Sequence, residues 1–457
     1  MNPKDLITEI RTVEYHLDTD GTPKSGVENL LSKINRMSEQ LSEGLYERTD
    51  HFIFELIQNA EDNSYAQNVT PRIKFHLLQD DPTNTPGSNG CLCVFNNEQG
   101  FAQDNVRAIC DFNNSTKKGK KSEGFIGEKG LGFKSVFMVT NSPHIYSNGY
   151  QFKFLRHDPV ATVGYVVPYW LDDVLKVVAV ESDSTTAILL PLRDDNYQFI
   201  KEQLEAFSPQ SLLFLKKLHA IEIITEDIEK IVECKKQGKH VVLSHLLNDE
   251  ITEQRFWLES ESFEVPSDIN EDKREGVLHS EVTVALPLDG VTGDERIFAY
   301  LPTEERPGLP FYVNADFLLP SSRESILKNK TWNTWLVSNI GQVAAKAILS
   351  LANNSTDNFN AYRYIPLTNE LAGGASNFAA VCNDVQAILA DTKSVITDDG
   401  FQYPVLCLEV SSNLRFLLDT KKPEYFDVGY LIHEEITKDA LKLKSIGVSA
   451  ANSDDVL

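Results

Sequence analysis

Apolar and polar positions recur at helical spacing in the stretch 52–63, which reads FIFELIQNAEDN. A helix through this stretch places Glu55, Asn59 and Asp62 on one face, because the spacing i, i+4 and i+7 returns to the same side. Apolar side chains occupy the opposite face, at Ile53, Leu56, Ile57 and Ala60. The pattern predicts an amphipathic helix. Its polar stripe is either a solvated surface or, beside a bound phosphate, a general base next to a hard-metal ligand.

The pattern around this helix predicts an α/β sandwich in the α+β class. A segment with helix-spaced apolar residues precedes it at 26–46, and strand-like segments follow at 72–78, 91–95 and 185–192. An Asn-Gly pair within HIYSNGYQFKFL predicts a hairpin turn, and LKVVAV reads as a further strand. These elements indicate an antiparallel or mixed sheet with the helices on a single face.

The second half of the chain has a different pattern of apolar and polar residues. The stretch 221–303 is strand-rich, 332–351 has the pattern of a long helix, and a third region with short strands begins near residue 360. A chain of 457 residues is also too long for one hydrophobic core. We therefore predict three domains, at 1–220, 221–355 and 356–457.

The charge balance limits the partners that the chain can bind. The formal net charge is -24, and an acidic surface repels phosphate backbones and anionic membranes. We therefore expect neither nucleic acid nor a membrane as a partner of the whole chain. Any site for a nucleotide must be locally basic.

The cysteines and the chain start indicate the compartment. The six cysteines are scattered without the spacing of a zinc site, which favours reduced thiols inside the cell. The start MNPKDLITEI has no apolar signal region, and no uninterrupted apolar run reaches membrane length. We expect an intracellular protein, cytoplasmic or nuclear.

The most basic segment of the chain, 113–124, lies directly before a glycine-rich turn. The segment reads NNSTKKGKKSEG, and the turn and the residues after it, 127–135, read GEKGLGFKS. A GxxGxG turn that opens a helix offers backbone N–H groups and a positive dipole end to a phosphate, although tight helix packing also selects glycine. The turn is not a Walker A loop, because Phe133 separates Gly132 from Lys134, and it lacks the GxGxxG dinucleotide spacing.

Three motifs in order, ELIQNAEDN, NNEQGF and GEKGLGFKSVF, together resemble the GHKL ATPases. That family groups gyrase, the ninety-kilodalton heat-shock chaperones, histidine kinases and MutL, and the chain looks most like its sacsin and NO VEIN branch. The resemblance implies a Bergerat-type ATPase domain at 1–220, followed by a middle domain and a C-terminal α/β region. Members of this branch are longer, so we expect the chain to be the N-terminal part of a larger protein.

The resemblance assigns roles to individual residues. Glu55 would be the general base that activates the attacking water, and Asn59 would coordinate Mg²⁺. Gly127, Gly130 and Gly132 would wrap the phosphates, with the lysine-rich segment as a lid over bound ATP. The other implied nucleotide contacts are Asp62, Asn96, Asn97, Lys117, Lys129, Leu131, Phe133, Lys134 and Thr186.

The second motif departs from the usual family pattern. Where the family has an aspartate that accepts a hydrogen bond from the adenine amino group, this chain has Asn96, and Glu98 stands at the position of the first glycine. An amide oxygen still accepts a hydrogen bond, but the amide nitrogen adds a donor that would blur the preference for adenine. The sequence leaves adenine selectivity open.

An arginine in the second half supplies the last implied catalytic residue. Ser322, Arg323 and Glu324 resemble an element of the heat-shock chaperone middle domain whose arginine contacts the ATP γ-phosphate. Arg323 would stabilise the charge that develops during phosphoryl transfer, and the alternative is a structural arginine beside Glu324.

Two functions follow from these observations. The first is a slow, Mg²⁺-dependent ATPase that acts as a chaperone-like conformational switch. The second is a nucleotide-binding module whose ATP-bound state recruits partners with little or no hydrolysis. ATP and ADP are the expected ligands and the protein clients are unknown. ATP-dependent dimerisation is one arrangement that the resemblance allows.

Overall fold

A computed structural model describes residues 2–34, 36, 51–111, 132–158, 160, 163–194, 196–320, 323, 325–354, 356–373, 376–410 and 429–451. The chain forms two compact units. The first contains Met1–Lys235 and Leu243–Glu253, and the second contains Lys236–Val242 and Gln254–Leu457. The predicted domain boundaries at 220 and 355 stay predictions.

A mixed sheet forms the centre of the first unit. Its strands are β1 Arg72–Leu78, β2 Cys91–Asn96, β3 His144–Ser147, β4 Tyr150–Lys153, β5 Tyr169–Trp170, β6 Thr186–Pro191, β7 Ala220–Ile224 and β8 Glu229–Gln237. Their order is β8-β7-β1-β2-β6-β3-β4-β5, with β1 and β7 parallel and the other described neighbours antiparallel. The α+β class and the mixed sheet are therefore confirmed.

Short helices accompany this sheet. They are α1 Pro3–Glu9, α2 His51–Asp62, α3 Gln103–Ile109, α4 Lys176–Ala179 and α5 Asn196–Glu205, with 3-10 helices at Gly132–Met138 and Pro209–Leu212. The prediction of a strand at LKVVAV is wrong, because this segment forms α4. A short continuous apolar run does not distinguish the two by periodicity. Val177 and Val178 of α4 pack half-buried against a core cluster that includes Cys91 and Cys93.

Helix α2 is buried more completely than an amphipathic pattern suggests. The predicted apolar face is buried, with Ile53, Leu56, Ile57 and Ala60 at most 4% exposed. Glu61 is nevertheless also buried, at 3% exposed. A helix that is buried around most of its circumference needs partners for its polar side chains inside the protein, and those partners lie far away in the sequence.

The second unit combines a mixed sheet with a long helix. Three strands, β8, β9 His240–Leu247 and β10 Glu250–Glu264, contain residues of both units. The order from β10 onward is β10-β11-β14-β12-β13, in which β12 and β14 are parallel. The further strands are β11 His279–Pro287, β12 Ile297–Ala299, β13 Leu301–Pro302, β14 Tyr312–Ala315, β15 Val395–Thr397, β16 Gly400–Gln402, β17 Cys407–Glu409, β18 Tyr430–Leu431 and β19 Ser449–Ala450.

The helices of this unit are α6 Thr331–Ala352, α7 Ala379–Ala390 and α8 Ala440–Ser445. The long helix predicted at 332–351 is confirmed by α6. Among the helices in the described ranges, α6 alone is long and apolar enough to cross a membrane by length and composition. Of that apolar window, 61% is buried inside the protein, where α6 packs on α7 and β11 in the main core cluster of the unit.

Candidate functional site

The predicted base and the last glycine of the predicted phosphate turn lie together in the structure. Helix α2 packs on the 3-10 helix that begins at Gly132. A Cβ atom built on Gly132 would collide with the carboxylate oxygen Oε2 of Glu55, so this carboxylate occupies the space that any other residue type would fill. Glu55 and Asn59 are both half-buried on the same face of α2.

This face of α2 has the chemistry that a magnesium nucleotide requires. Mg²⁺ binds few protein oxygens and keeps water and phosphate oxygens as its other ligands. The amide oxygen of Asn59 is a hard donor of this kind, one helical turn from the Glu55 carboxylate. The described ranges contain no cluster of three His, Cys, Asp or Glu residues that could hold a metal by protein ligands alone. The contact of Asn59 with a metal ion stays a prediction.

Five of the predicted site residues lie outside the described residues. They are Lys117, Gly127, Lys129, Gly130 and Leu131. Their assigned contacts with phosphate stay predictions. Gly132, Phe133 and Lys134 are described, and they open the 3-10 helix that packs on α2.

The ammonium group of Lys134 is buried and bound to carbonyl oxygens. Its Nζ donates to Ile109 O at 2.5 Å and to Tyr165 O at 2.8 Å. It also lies 4.6 Å from the ring centroid of Phe154, a ring that packs on Phe133. Burial lowers the pKa of Lys134 to about 8. Lys134 thus ties the start of the 3-10 helix to the end of α3, and its predicted contact with the nucleotide stays a prediction.

A row of buried polar side chains marks the end of the sheet nearest to the second motif. The strand register places Asn96 of β2 opposite Thr186 of β6, and Thr186 opposite Ser147 of β3. Thr186 Oγ1 donates to Glu98 Oε1 at 2.7 Å, and its oxygen lies 2.6 Å from Ser147 Oγ. Ser147 Oγ in turn accepts the N–H of Phe101 at 2.8 Å. Because each hydroxyl has one proton to donate, the chain runs from Phe101 through Ser147 and Thr186 to the Glu98 carboxylate.

The side chain of Asn96 is oriented by its own hydrogen bonds. Its Nδ2 donates to Arg72 O at 2.8 Å and to the Tyr65 hydroxyl at 2.9 Å. The Tyr65 hydroxyl gives its proton to Ala60 O at 2.7 Å, so it accepts from Asn96. Burial raises the pKa of Tyr65. The amide nitrogen of Asn96 is therefore occupied within the protein, and its oxygen accepts a longer hydrogen bond from Asn63 Nδ2 at 3.4 Å.

Asn97 and Gly100 shape the same turn. Asn97 Oδ1 accepts the N–H of Arg72 at 2.9 Å, and its Nδ2 donates to Thr70 O at 2.8 Å. Gly100 has a φ of +84°, and a Cβ there would lie 2.7 Å from Asn148 Cβ. Both constraints explain the NNEQGF sequence by turn geometry, so a nucleotide contact of Asn97 stays a prediction.

Sequence reasoning missed two buried glutamates near the site. Glu98 was regarded only as a replacement for glycine, and Glu61 was not singled out at all. The Glu61 carboxylate accepts hydrogen bonds from the backbone N–H groups of residues 216–218, which lie more than 150 positions away in the sequence. The signal in the sequence is only a charged residue next to Asp62 at the end of an apolar helix, which is typical of a solvated helix end.

Arg323 lies in the second unit in a left-handed backbone conformation. Its φ is +50°, and its Nη2 donates to Ala299 O at 3.0 Å. The segment that precedes it is held by Asn333 of α6, whose side chain pairs with the N–H and C=O groups of Leu318 at 2.8 Å each. Ser322 and Glu324 lie outside the described residues, and the catalytic role of Arg323 stays a prediction.

Comparisons with known proteins confirm the predicted resemblance. Residues 33–167 match the model of the Sacsin domain family. The chain is 29% identical over 487 aligned residues to Protein NO VEIN of Arabidopsis thaliana, an alignment that covers 98% of this chain and 17% of the relative. It is 23% identical over 398 residues to human sacsin, covering 68% of this chain and 8% of the relative.

A shorter similarity extends to chaperones. The Chaperone protein HtpG of Sulfurovum sp. (strain NBC37-1) is 30% identical over 133 residues, covering 25% of this chain and 21% of the relative. The chain therefore spans less than a quarter of the length of each of these relatives. The similarities are consistent with a sacsin and NO VEIN branch within the GHKL group and suggest an ATPase-like module.

Proposed function

We propose that the first unit binds ATP with Mg²⁺ and hydrolyses it slowly, and that the chain works as a chaperone-like conformational switch. The observation that carries this proposal is the contact between the Glu55 carboxylate and the Gly132 backbone. It joins the predicted base to the last residue of the predicted phosphate turn. The similarity to a chaperone HtpG over a quarter of the chain supports the same assignment.

In this proposal each residue has a defined task. Glu55, half-buried on α2, orients the attacking water and accepts its proton. Asn59 would hold Mg²⁺, which when bound supplies positive charge to the phosphate oxygens. The glycine-rich turn before the 3-10 helix would offer its backbone N–H groups to the phosphates. The role of Arg323 in stabilising the charge on the transferred phosphate stays a prediction from the resemblance.

The polar row at the sheet end supports adenine as the base. The Asn96 nitrogen is occupied by Arg72 and Tyr65, so the amino group of adenine would bind the Asn96 oxygen, whose other lone pair accepts from Asn63 at 3.4 Å. The Glu98 carboxylate is a second acceptor in the same row. The departure of this motif from the family aspartate is thus compatible with adenine preference.

Phosphate release from Mg-ATP by the wild type and by Glu55→Ala tests the proposal. Removal of a general base lowers turnover by about a hundredfold or more, so we expect Glu55→Ala to bind ATP and to release almost no phosphate. The matched control is Glu250→Ala, at an exposed glutamate of β10. Equal rates for the wild type and Glu55→Ala would remove the catalytic assignment.

The second candidate function is the binding module without hydrolysis. The same measurements separate it from the first, because a module of that kind binds ATP as tightly before and after the substitution and shows no turnover in either form. Calorimetry with Mg-ADP and a non-hydrolysable ATP gives the affinity. If neither Mg-ADP nor the non-hydrolysable ATP binds, both proposed functions are overturned.

A further inference from the structure

The carboxylate of Glu61 is bound by the backbone of three successive residues. Its Oε1 accepts the N–H groups of Lys216 at 2.7 Å and of Lys217 at 2.9 Å. Its Oε2 accepts the N–H group of Leu218 at 2.9 Å and that of Lys217 at 3.1 Å. The side chain is only 3% exposed. Charge-assisted bonds from consecutive N–H groups to one buried anion are among the stronger contacts that a protein makes.

A second connection between the same two segments, called here the second tie, is made by a side chain of the other segment, Lys217. The Nζ of Lys217 donates to Asn63 O at 3.0 Å and to Asp62 O at 3.3 Å. The last carbonyl groups of a helix lack partners within the helix, and a cation there is also favourable for the helix dipole. The end of α2 and residues 216–218 therefore hold each other through two side chains, one from each segment.

Glu61 faces away from the proposed nucleotide face. It lies six residues after Glu55, which is about 240° around a helix of 3.6 residues per turn. The segment that it binds leads directly into β7, where His219 N donates to Pro71 O at 2.9 Å and β7 pairs with β1. Glu61 thus connects α2 to the paired strands β7 and β1, while the Glu55 carboxylate lies against Gly132.

We propose that Glu61 is a positioning residue for the nucleotide site. It fixes the rotation of α2 about its axis and its position along that axis, so that the Glu55 carboxylate stays against Gly132. A helix held only by apolar contacts tolerates small sliding and rotation, whereas four directed hydrogen bonds to a rigid backbone do not. A misplacement of about 1 Å at a reacting group costs up to about a hundredfold in rate. This inference rests on the proposed function.

The test compares Glu61→Gln with the wild type in two measurements. The amide of glutamine keeps one acceptor oxygen but turns an NH₂ group toward N–H donors. We expect kcat for phosphate release to fall about ten- to a hundredfold with a change in KM of less than about threefold. Hydrogen exchange should show faster exchange of the amides of residues 216–218 and of α2.

The matched control is Glu295→Gln in the second unit. Glu295 is 2% exposed, and its carboxylate also accepts backbone N–H groups, those of Thr292 at 2.7 Å and Gly293 at 2.8 Å. Glu295→Gln therefore reproduces the destabilisation expected when a buried carboxylate is replaced, but it does not disturb the hydrogen bonds that hold α2. Kinetics are normalised to the folded fraction of each variant.

A second variant keeps the test informative where Glu61→Gln folds poorly. Lys217 is exposed, so Lys217→Met should fold, and by removing the second tie alone it should lower kcat about threefold. An unchanged kcat in both variants, or unchanged exchange at 216–218 in Glu61→Gln, would overturn the positioning role. Failure of the proposed function is visible separately, because then the wild type itself releases no phosphate.

Discussion

At one end of the candidate site the Glu55 carboxylate lies against the bare backbone of Gly132, whereas at the other end the Glu98 carboxylate is held by a chain of two hydroxyl groups. The first arrangement depends on the lack of a side chain at Gly132, and the second depends on the hydroxyl groups of Ser147 and Thr186. The first is therefore sensitive to an added atom and the second to a removed one. Under the proposed function, the first end positions a base for chemistry and the second positions acceptors for recognition of the nucleotide base.

The largest expected effect comes from Gly132→Ala, which adds a methyl group where the Glu55 carboxylate lies. The carboxylate is the flexible end of its side chain, so it will move aside and the unit will stay folded. We expect phosphate release to fall about a hundredfold. The control is Gly373→Ala, because a Cβ at Gly373 meets no atom within 4 Å. A rate that stays within threefold of the wild type would contradict the proposed contact between base and turn.

Asn96→Asp tests the second end by installing the residue that is usual in the family. A carboxylate cannot donate to Arg72 O or to the Tyr65 hydroxyl, and it places an anion beside a carbonyl oxygen. We expect the free energy of unfolding to fall by about 2 kcal/mol. Urea denaturation of the two proteins measures the difference. An unchanged or raised midpoint would show that the Asn96 amide is not committed to these partners.

Thr186→Val removes one hydroxyl from the chain at nearly constant volume. The Glu98 carboxylate then loses the donor that orients it, so we expect the Kd for ATP to rise about tenfold, with a smaller change in kcat. The preference for ATP over GTP should fall with it. Thr283→Val is the control, since Thr283 is a buried threonine of the second unit that pairs with Ser260 at 2.8 Å. Equal ATP affinities in the wild type and Thr186→Val would separate the hydroxyl chain from base recognition.

The smallest expected effect is a pH dependence at the start of β3, the strand that ends in Ser147. His144 is buried, its Nδ1 lies 2.8 Å from Ser142 O, and burial lowers its pKa to about 4. The neutral form is favoured in the folded state. This contribution to stability is therefore complete above the unfolded pKa near 6.5 and is lost as the pH falls toward 4.

Between pH 7.5 and 6 the wild type should lose about 1 kcal/mol of unfolding free energy through His144. Urea midpoints of the wild type and His144→Gln over this range measure the difference. The substituted protein should show a flatter profile, because other titrating groups contribute equally to both proteins. Parallel profiles would exclude His144 as the source.

Local pattern was sufficient for much of the fold. The apolar face of α2 and the position of α6 follow from helical periodicity, because a repeated spacing reports which side of an element is buried. The same reasoning failed at LKVVAV, where a short apolar run without alternation formed α4. The domain boundaries at 220 and 355 stay predictions, since boundaries depend on contacts between residues that are distant in the sequence.

The sequence alone determined which residues could form the site. Glu55 and Asn59 share a helical face by their spacing, and the order of the three motifs carried the resemblance that the comparisons confirm. Only the tertiary structure decided which atoms those residues meet. It directs the Lys134 ammonium to two carbonyl oxygens, commits the Asn96 nitrogen to Arg72 and Tyr65, and buries Glu61 among N–H groups more than 150 residues away. The physical reason is that periodicity specifies a direction from the backbone, whereas a hydrogen-bond partner is specified by how distant segments fold together.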